Sequence, residues 1–158
     1  MTVAKKKRKQ TPVRPLVGWR EWLGLPDLGL HAVKAKIDTG ARTSSLHAVD
    51  LEIGAGDEHD WISFIVHPLQ HHEEIEIRCR APLLDQRRVT SSSGQREKRP
   101  VIATPVTLGP HAWTIEITLT SRTDMRFRML LGRHALRQRF LVDPGRSYLI
   151  GHKPKKAK

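Results

Sequence analysis

Asp38-Thr39-Gly40, followed by Ala41, stands at the end of an apolar-alternating run that closes at Ile37. A carboxylate can do general acid–base work when its surroundings tune it. Asp followed closely by Gly is also an ordinary β-turn signal, so the triplet alone decides nothing. A second segment runs Met129-Leu130-Leu131-Gly132-Arg133-His134-Ala135-Leu136, an apolar strand that passes through Gly-Arg into a short helix. Taken alone it reads as a buried strand with a helix cap. The nine histidines raise the question of a metal, and His67, His71 and His72 with Glu73 and Glu74 form the dense cluster. His67 and His71 have helical ligand spacing, but Pro68 lies between them in β-rich surroundings. No His-Glu-x-x-His is present, so the cluster reads as a solvated loop and no metal is expected. A Gly-x-x-x-x-Gly-Lys-Ser/Thr phosphate loop is also missing, so no nucleotide or other cofactor is expected.

The elements that must position these residues are strands. Val33, Ala35 and Ile37 alternate with Lys34 and Lys36, and Ile75, Ile77 and Cys79 alternate with charged residues. Trp113, Ile115, Ile117 and Leu119 give the clearest period of two, and Met125, Phe127 and Met129 repeat it. Residues 61–66 and 101–108 are further β-rich runs, and Tyr148-Leu149-Ile150 is expected to close the sheet. Turn signals fall between them at Gly54-Ala55-Gly56-Asp57, Leu108-Gly109-Pro110 and Asp143-Pro144-Gly145. Arg133 to Phe140 alone looks helical. The polar stretch Thr90 to Arg99 is the one long loop of the core. Many short strands at regular spacing predict a closed all-β barrel with one short C-terminal helix.

The charge of +12 is a property of the ends. Residues 1–15 hold six basic residues and 152–158 hold four, with no acidic residue in either. That leaves 18 basic against 16 acidic residues in 16–151. The two basic segments cannot bury apolar area and are expected to be disordered tails on one domain, 16–151. Specific nucleic-acid recognition would need basic residues on a folded face with aromatics or a recognition helix, and is not expected. No apolar stretch is long enough to span a membrane. The run Lys5 to Lys9 is not followed by an uninterrupted apolar segment, so no secretory signal is expected. With one cysteine, Cys79, there is no internal disulfide framework, and the chain reads as cytoplasmic.

Asp-Thr-Gly-Ala followed much later by two apolar residues, Gly-Arg and a short helix resembles the retropepsin-like aspartic proteases. A closer resemblance covers residues 16–151. Val17-Gly18-Trp19-Arg20-Glu21, Ile37 through Ala48, Arg99-Pro100-Val101-Ile102, Trp113-Thr114-Ile115-Glu116, Met129 through Leu136 and Val142-Asp143-Pro144 are similar to a prokaryotic family of retropepsin-like aspartic endopeptidases. That family also carries the label ATP-dependent zinc protease, and its members are often associated with ATP-grasp ligases that add amino acids to peptides or proteins. The residues offer no support for zinc or ATP, and any ATP dependence would have to come from a partner protein.

The resemblance implies an aspartic-type peptidase acting on a peptide or on an amino-acid-extended protein tail. Asp38 would be the catalytic carboxylate, one of two that share a proton across a water. Gly40 would let the backbone pass close to the site, and Thr39 would hydrogen-bond across the pair. Ala41 completes the loop. Leu130, Leu131 and Gly132 would form its apolar floor, with Arg133 following. No second Asp-Thr/Ser-Gly occurs, so the dyad requires a homodimer with one Asp38 from each chain. Arg42 stands where retroviral enzymes carry an acidic partner for the Gly-Arg arginine, so Arg133 must find another. Were Arg42 to line the cleft, it would favour acidic substrate groups. Ser92, Ser93, Gly94 and Gln95 would form a flap over the cleft. Two other readings stand beside the enzyme: a non-catalytic β-barrel that binds such a tail or the ligase that makes it, and a zinc-dependent protease as the older label says.

Overall fold

The computed structural model describes residues 13–69, 74–90, 93–121 and 126–153. Its strands are β1 (Leu16–Gly18), β2 (Arg20–Leu25), β3 (Leu30–Asp38), β4 (Ser44–His47), β5 (Val49–Gly54), β6 (Trp61–Val66) and β7 (Ile77–Pro82). There follow β8 (Asp85–Thr90), β9 (Arg96–Leu108), β10 (His111–Thr120) and β11 (Met129–Gly132), then the helical turn α1 (Arg133–Leu136) and β12 (Leu141–Asp143). Six strands close on themselves in the order β10-β4-β11-β3-β2-β9, with β9 returning to pair with β10. Closure leaves no open sheet edge in the ring. This is the closed all-β barrel with one short C-terminal helix that the periodicity predicts.

Alternation fills the barrel. Val33, Ala35 and Ile37 point inward from β3, as do Ile115, Ile117 and Leu119 from β10 and Met129 and Leu131 from β11. The strand β9 is long because it serves three partners, meeting β2 through Thr107 opposite Gly24. Its first part, from Arg96 to Val101, pairs with β8, and the stretch from Val101 to Leu108 pairs with β10. The β8–β9 hairpin therefore stands out from the barrel as an arm. Strands β5, β6 and β7 form a separate antiparallel sheet, and β1 pairs with β12 in parallel.

Four local expectations need correction. Tyr148-Leu149-Ile150 is not a strand: Tyr148 N–H donates to Arg20 O at 3.0 Å, but the next two backbone N–H groups go to a side chain instead of a sheet neighbour. Glu21, fully buried on β2, accepts from Leu149 N–H at 2.6 Å, Ile150 N–H at 3.0 Å and Gly18 N–H at 3.3 Å through Oε1, and from Gly151 N–H at 3.2 Å through Oε2. The helix ends at Leu136, not Phe140, because Arg137 turns to an extended conformation and Gln138 takes a positive φ of 67°. Ladder pairing extends into the expected polar loop Thr90–Arg99, joining Thr90 to Arg96 and continuing to Arg87 opposite Arg99. Strand pairing also starts later than the alternation: β7 begins at Ile77 and β11 at Met129, while Met125 lies outside the described residues.

Cys79 lies on β7 with its Sγ 3.4 Å from Leu28 O and 3.6 Å from Ile77 O. Burial pushes its thiol up to about 11 from the ordinary 9.0, because the thiolate would lose its hydration. A water-soluble disulfide reagent at pH 8 should therefore label the folded chain roughly 100-fold more slowly than the urea-unfolded chain. The folded pKa is the higher one, so this group's contribution to stability is intact below 9 and falls as pH rises toward about 11. Equal labelling rates would contradict the burial.

Candidate active site

Asp38 is the last residue of β3, half-buried, where the chain leaves the barrel wall. Its Oδ1 accepts from Gly40 N–H at 3.1 Å and Ala41 N–H at 3.2 Å, so the following turn fixes the carboxylate from below. A Cβ on Gly40 would stand 3.3 Å from that oxygen, tighter than side chains normally tolerate. The turn is held in place by the Gly-Arg segment. β11 runs parallel to β3 with Leu131 beside Ile37 and Gly132 beside Asp38. Arg133 N–H donates to Ala41 O at 2.7 Å and His134 N–H to Arg42 O at 3.1 Å.

Gly132 is required by packing. A Cβ there would come within 2.6 Å of the Thr43 carbonyl carbon, and its N–H donates to the buried Ser44 Oγ at 2.9 Å. Arg133 finds its partner in the Asp loop itself: Nη1 donates to Thr39 O at 3.0 Å. A carbonyl thus takes the place of the missing acidic residue. Thr39 is exposed and is engaged through its carbonyl.

Asp38 opens onto a cleft of about 890 Å³. Gly40, Ala41 and Leu130 line it, while Leu131 and Gly132 are buried behind. The opposite wall is the β8–β9 arm, through Arg87, Arg88, Val89, Thr90 and Arg99. Ser93, Gly94 and Gln95 stand at the exposed tip of that arm, with Gly94 at φ 82° in the turn. Ser92 lies outside the described residues, as do His71, His72 and Glu73 of the histidine cluster. His67 Nδ1 is 3.3 Å from Ile75 O.

Four arginines face this cleft, Arg42 among them, against two carboxylates, Asp38 and Glu116. Arg87 reaches from the arm to Glu116 on β10 at 2.7 Å and to Asp85 at 3.1 Å; both partners raise its guanidinium above the usual value, Glu116 most strongly. Asp85 is held below the usual carboxylate range by Gln86 N–H and then Arg87. Arg99 is buried, its side chain 8% exposed, with Glu97 Oε2 at 3.2 Å. Arg42 Nε donates to His134 Nε2 at 3.3 Å. Among the described residues neither Arg42 nor Arg88 forms an ion pair.

The arginine wall, Glu116 and the keystone Glu21 escape a motif-led reading. A signal for each does exist. Arg87 stands directly opposite Arg99 and Arg88 opposite Lys98, and like charges facing across a hairpin are unfavourable unless an anion relieves them. Glu21 has the same strand parity as Leu23 and Leu25, which places a carboxylate on the inward face.

Residues 16–153 match the RimB-like family, described as retropepsin-like aspartic endopeptidase RimB. Curated relatives include proteins named "Probable alpha-L-glutamate ligase". The one from Shewanella halifaxensis is 46% identical over 136 residues, 86% of this chain and 30% of the relative. The one from Parasynechococcus marenigrum is 51% identical over 136 residues, again 86% of this chain and 29% of the relative. The chain thus spans less than a third of the length of these relatives. Among solved structures, a Legionella pneumophila protein of unknown function superposes with a TM-score of 0.73 at 27% identity, covering 87% of this chain and 99% of that one. No helix among the described residues is long and apolar enough to cross a membrane. By sequence match across the barrel and its Asp loop, the chain belongs to the RimB-like family of retropepsin-like aspartic endopeptidases.

Proposed function

We propose that the chain is an aspartic peptidase that hydrolyses acidic, glutamate-rich protein tails. The observation that carries this reading is the cleft itself: a fixed, solvent-reaching Asp38 faces a wall of arginines. Among the described residues Arg88 and Arg42 form no ion pair, which leaves charge for substrate carboxylates, and the buried Arg99 is a charge that an incoming anion would help to satisfy. Relatives named for glutamate ligation support a glutamate-bearing substrate. A ligase of that kind is the proposed partner in the pathway, one protein making the tail and this one shortening it.

The reaction needs two carboxylates with one proton between them. Glu116 is unsuited to be the second, because its carboxylate is engaged by Arg87 at 2.7 Å. A second copy would supply it, through a two-fold axis passing between two Asp38 loops. The ionised Asp38 takes a proton from the water as its oxygen bonds to the peptide carbonyl carbon. The protonated Asp38 gives its proton to the carbonyl oxygen. The resulting tetrahedral diol collapses as the carboxyl that took the water's proton gives it to the amide nitrogen, the other carboxylate takes a proton back from a diol hydroxyl and the C–N bond breaks, with no acyl-enzyme. The β8–β9 arm, with Ser93, Gly94 and Gln95 at its tip, would close over the extended substrate as a flap.

A pair of peptides tests this reading. One carries a C-terminal run of glutamates and the other the same run as glutamines, each followed by mass spectrometry. The expected result is cleavage within the glutamate run, with kcat/KM at least about tenfold lower for glutamine. Tight binding of the glutamate peptide with neither peptide cleaved would favour the non-catalytic binding barrel and overturn the peptidase.

A further inference from the structure

The cleft does not stop at Leu130. On its far side Leu130 also lines a recess of about 250 Å³, floored by Trp19 and Phe127 and rimmed by Lys36 and Arg126. Val33, Ala35 and Ile37 occupy the barrel interior, so Lys34, Lys36 and Asp38 share the other face of β3. Residues two apart on a strand are about 6.6 Å apart, which is also the repeat of same-side residues in an extended peptide. Cations therefore follow Asp38 at the spacing that alternate side chains of a bound strand would have.

The charge on this face is concentrated. Arg20 stands directly across from Lys36, and a like-charged cross-strand pair costs stability. Lys34 is held below the usual lysine range, first by burial and then by Arg20, Arg126 and Lys153, which shows how closely these cations gather. None of them takes part in an ion pair among the described residues. Arg20 is occupied differently: it packs between the Trp19 and Tyr148 rings and bonds Ser147 Oγ at 3.1 Å. Lys36 and Arg126 are exposed at the mouth of the recess, and neither forms an ion pair among the described residues.

We infer that this recess is a second anionic subsite, in which Lys36 and Arg126 hold carboxylates of the substrate several residues from the bond above Asp38, so that the protein measures the length of an acidic run. The inference rests on the acidic-tail reading of the cleft. Arginines on the arm would engage side chains next to the scissile bond, whereas the recess would engage those further along. A short acidic peptide reaches one cluster and a long one both, and linked contacts raise affinity more than either alone.

Binding separates this from turnover. Fluorescein-labelled oligoglutamates of two, four and eight residues would be titrated by anisotropy into the full chain carrying Asp38→Asn, which binds without hydrolysis. Affinity should rise at least tenfold from two residues to eight. Adding Lys36→Ala and Arg126→Ala should remove that rise while changing the affinity for the two-residue peptide less than twofold; both side chains are exposed, and a circular dichroism melt confirms folding. Adding Arg88→Ala should instead weaken every length. An unchanged length dependence in the Lys36/Arg126 variant, or no binding at any length, overturns the subsite. So does an oligouridylate of eight nucleotides that binds equally tightly and displaces the peptide, since the face would then be a nucleic-acid surface. A wild-type chain that cleaves nothing, yet loses length-dependent binding in the variant, would refute the peptidase and leave the subsite standing.

Discussion

Replacing Asp38 by Asn should abolish peptide hydrolysis, lowering kcat by on the order of 10³-fold or more, while leaving the fold intact. The two halves of that expectation come from different atoms. Asn keeps an Oδ1 that can accept from Gly40 N–H and Ala41 N–H, the bonds that hold the turn. The stability change should stay within about 1 kcal/mol. What Asn cannot do is take a proton from water or share one with a second carboxylate. Activity assays on glutamate-tailed peptides, paired with thermal melts, read both. A variant that keeps a tenth or more of the activity would remove Asp38 from the chemistry.

Replacing Glu21 by Ala should cost about 3–5 kcal/mol of stability, the largest effect expected of any single side chain away from the cleft. Its carboxylate collects four backbone N–H groups, from Gly18, Leu149, Ile150 and Gly151. Three of these belong to the C-terminal segment that runs over β2 without strand pairing, so no ladder partner would replace the lost acceptor. Water entry is restricted as well, because a Cβ on Gly151 would collide with the Trp22 carbonyl. Glu21→Gln should be milder, at about 1–3 kcal/mol, because one acceptor oxygen remains while the amide nitrogen meets N–H donors. Urea titrations of the two variants measure this directly. A loss under 1 kcal/mol for Glu21→Ala would show that the C-terminal segment is held some other way.

The barrel was legible because its signal is local. The alternation at Val33-Ala35-Ile37 and Trp113 to Leu119 survives in the structure as inward-facing rows. The Asp loop and the Gly-Arg strand were legible as a pair, and the structure sets Gly132 directly beside Asp38. What was not legible depends on contacts between distant segments. Tyr148-Leu149-Ile150 looks like a strand by composition, but its partner is a buried side chain 128 residues away in the case of Leu149, and no local pattern encodes that. Arg133 was left without an acidic partner in the sequence, and its solution is a carbonyl oxygen, which every residue carries and none advertises. The arginine wall needed the β8–β9 pairing before Arg87, Arg88 and Arg99 could be seen as one surface.

The proposed reaction requires one Asp38 from each of two chains in the reacting pair. The most direct measurement mixes wild-type and Asp38→Asn chains in equal amounts, allows subunits to exchange, and records the hydrolysis rate per total chain. If both carboxylates are required, only dimers with two wild-type chains work, and activity should fall to about a quarter of the unmixed wild-type value. A fall to one half, the value for simple dilution, would mean that each chain acts alone, and the shared pair would be wrong.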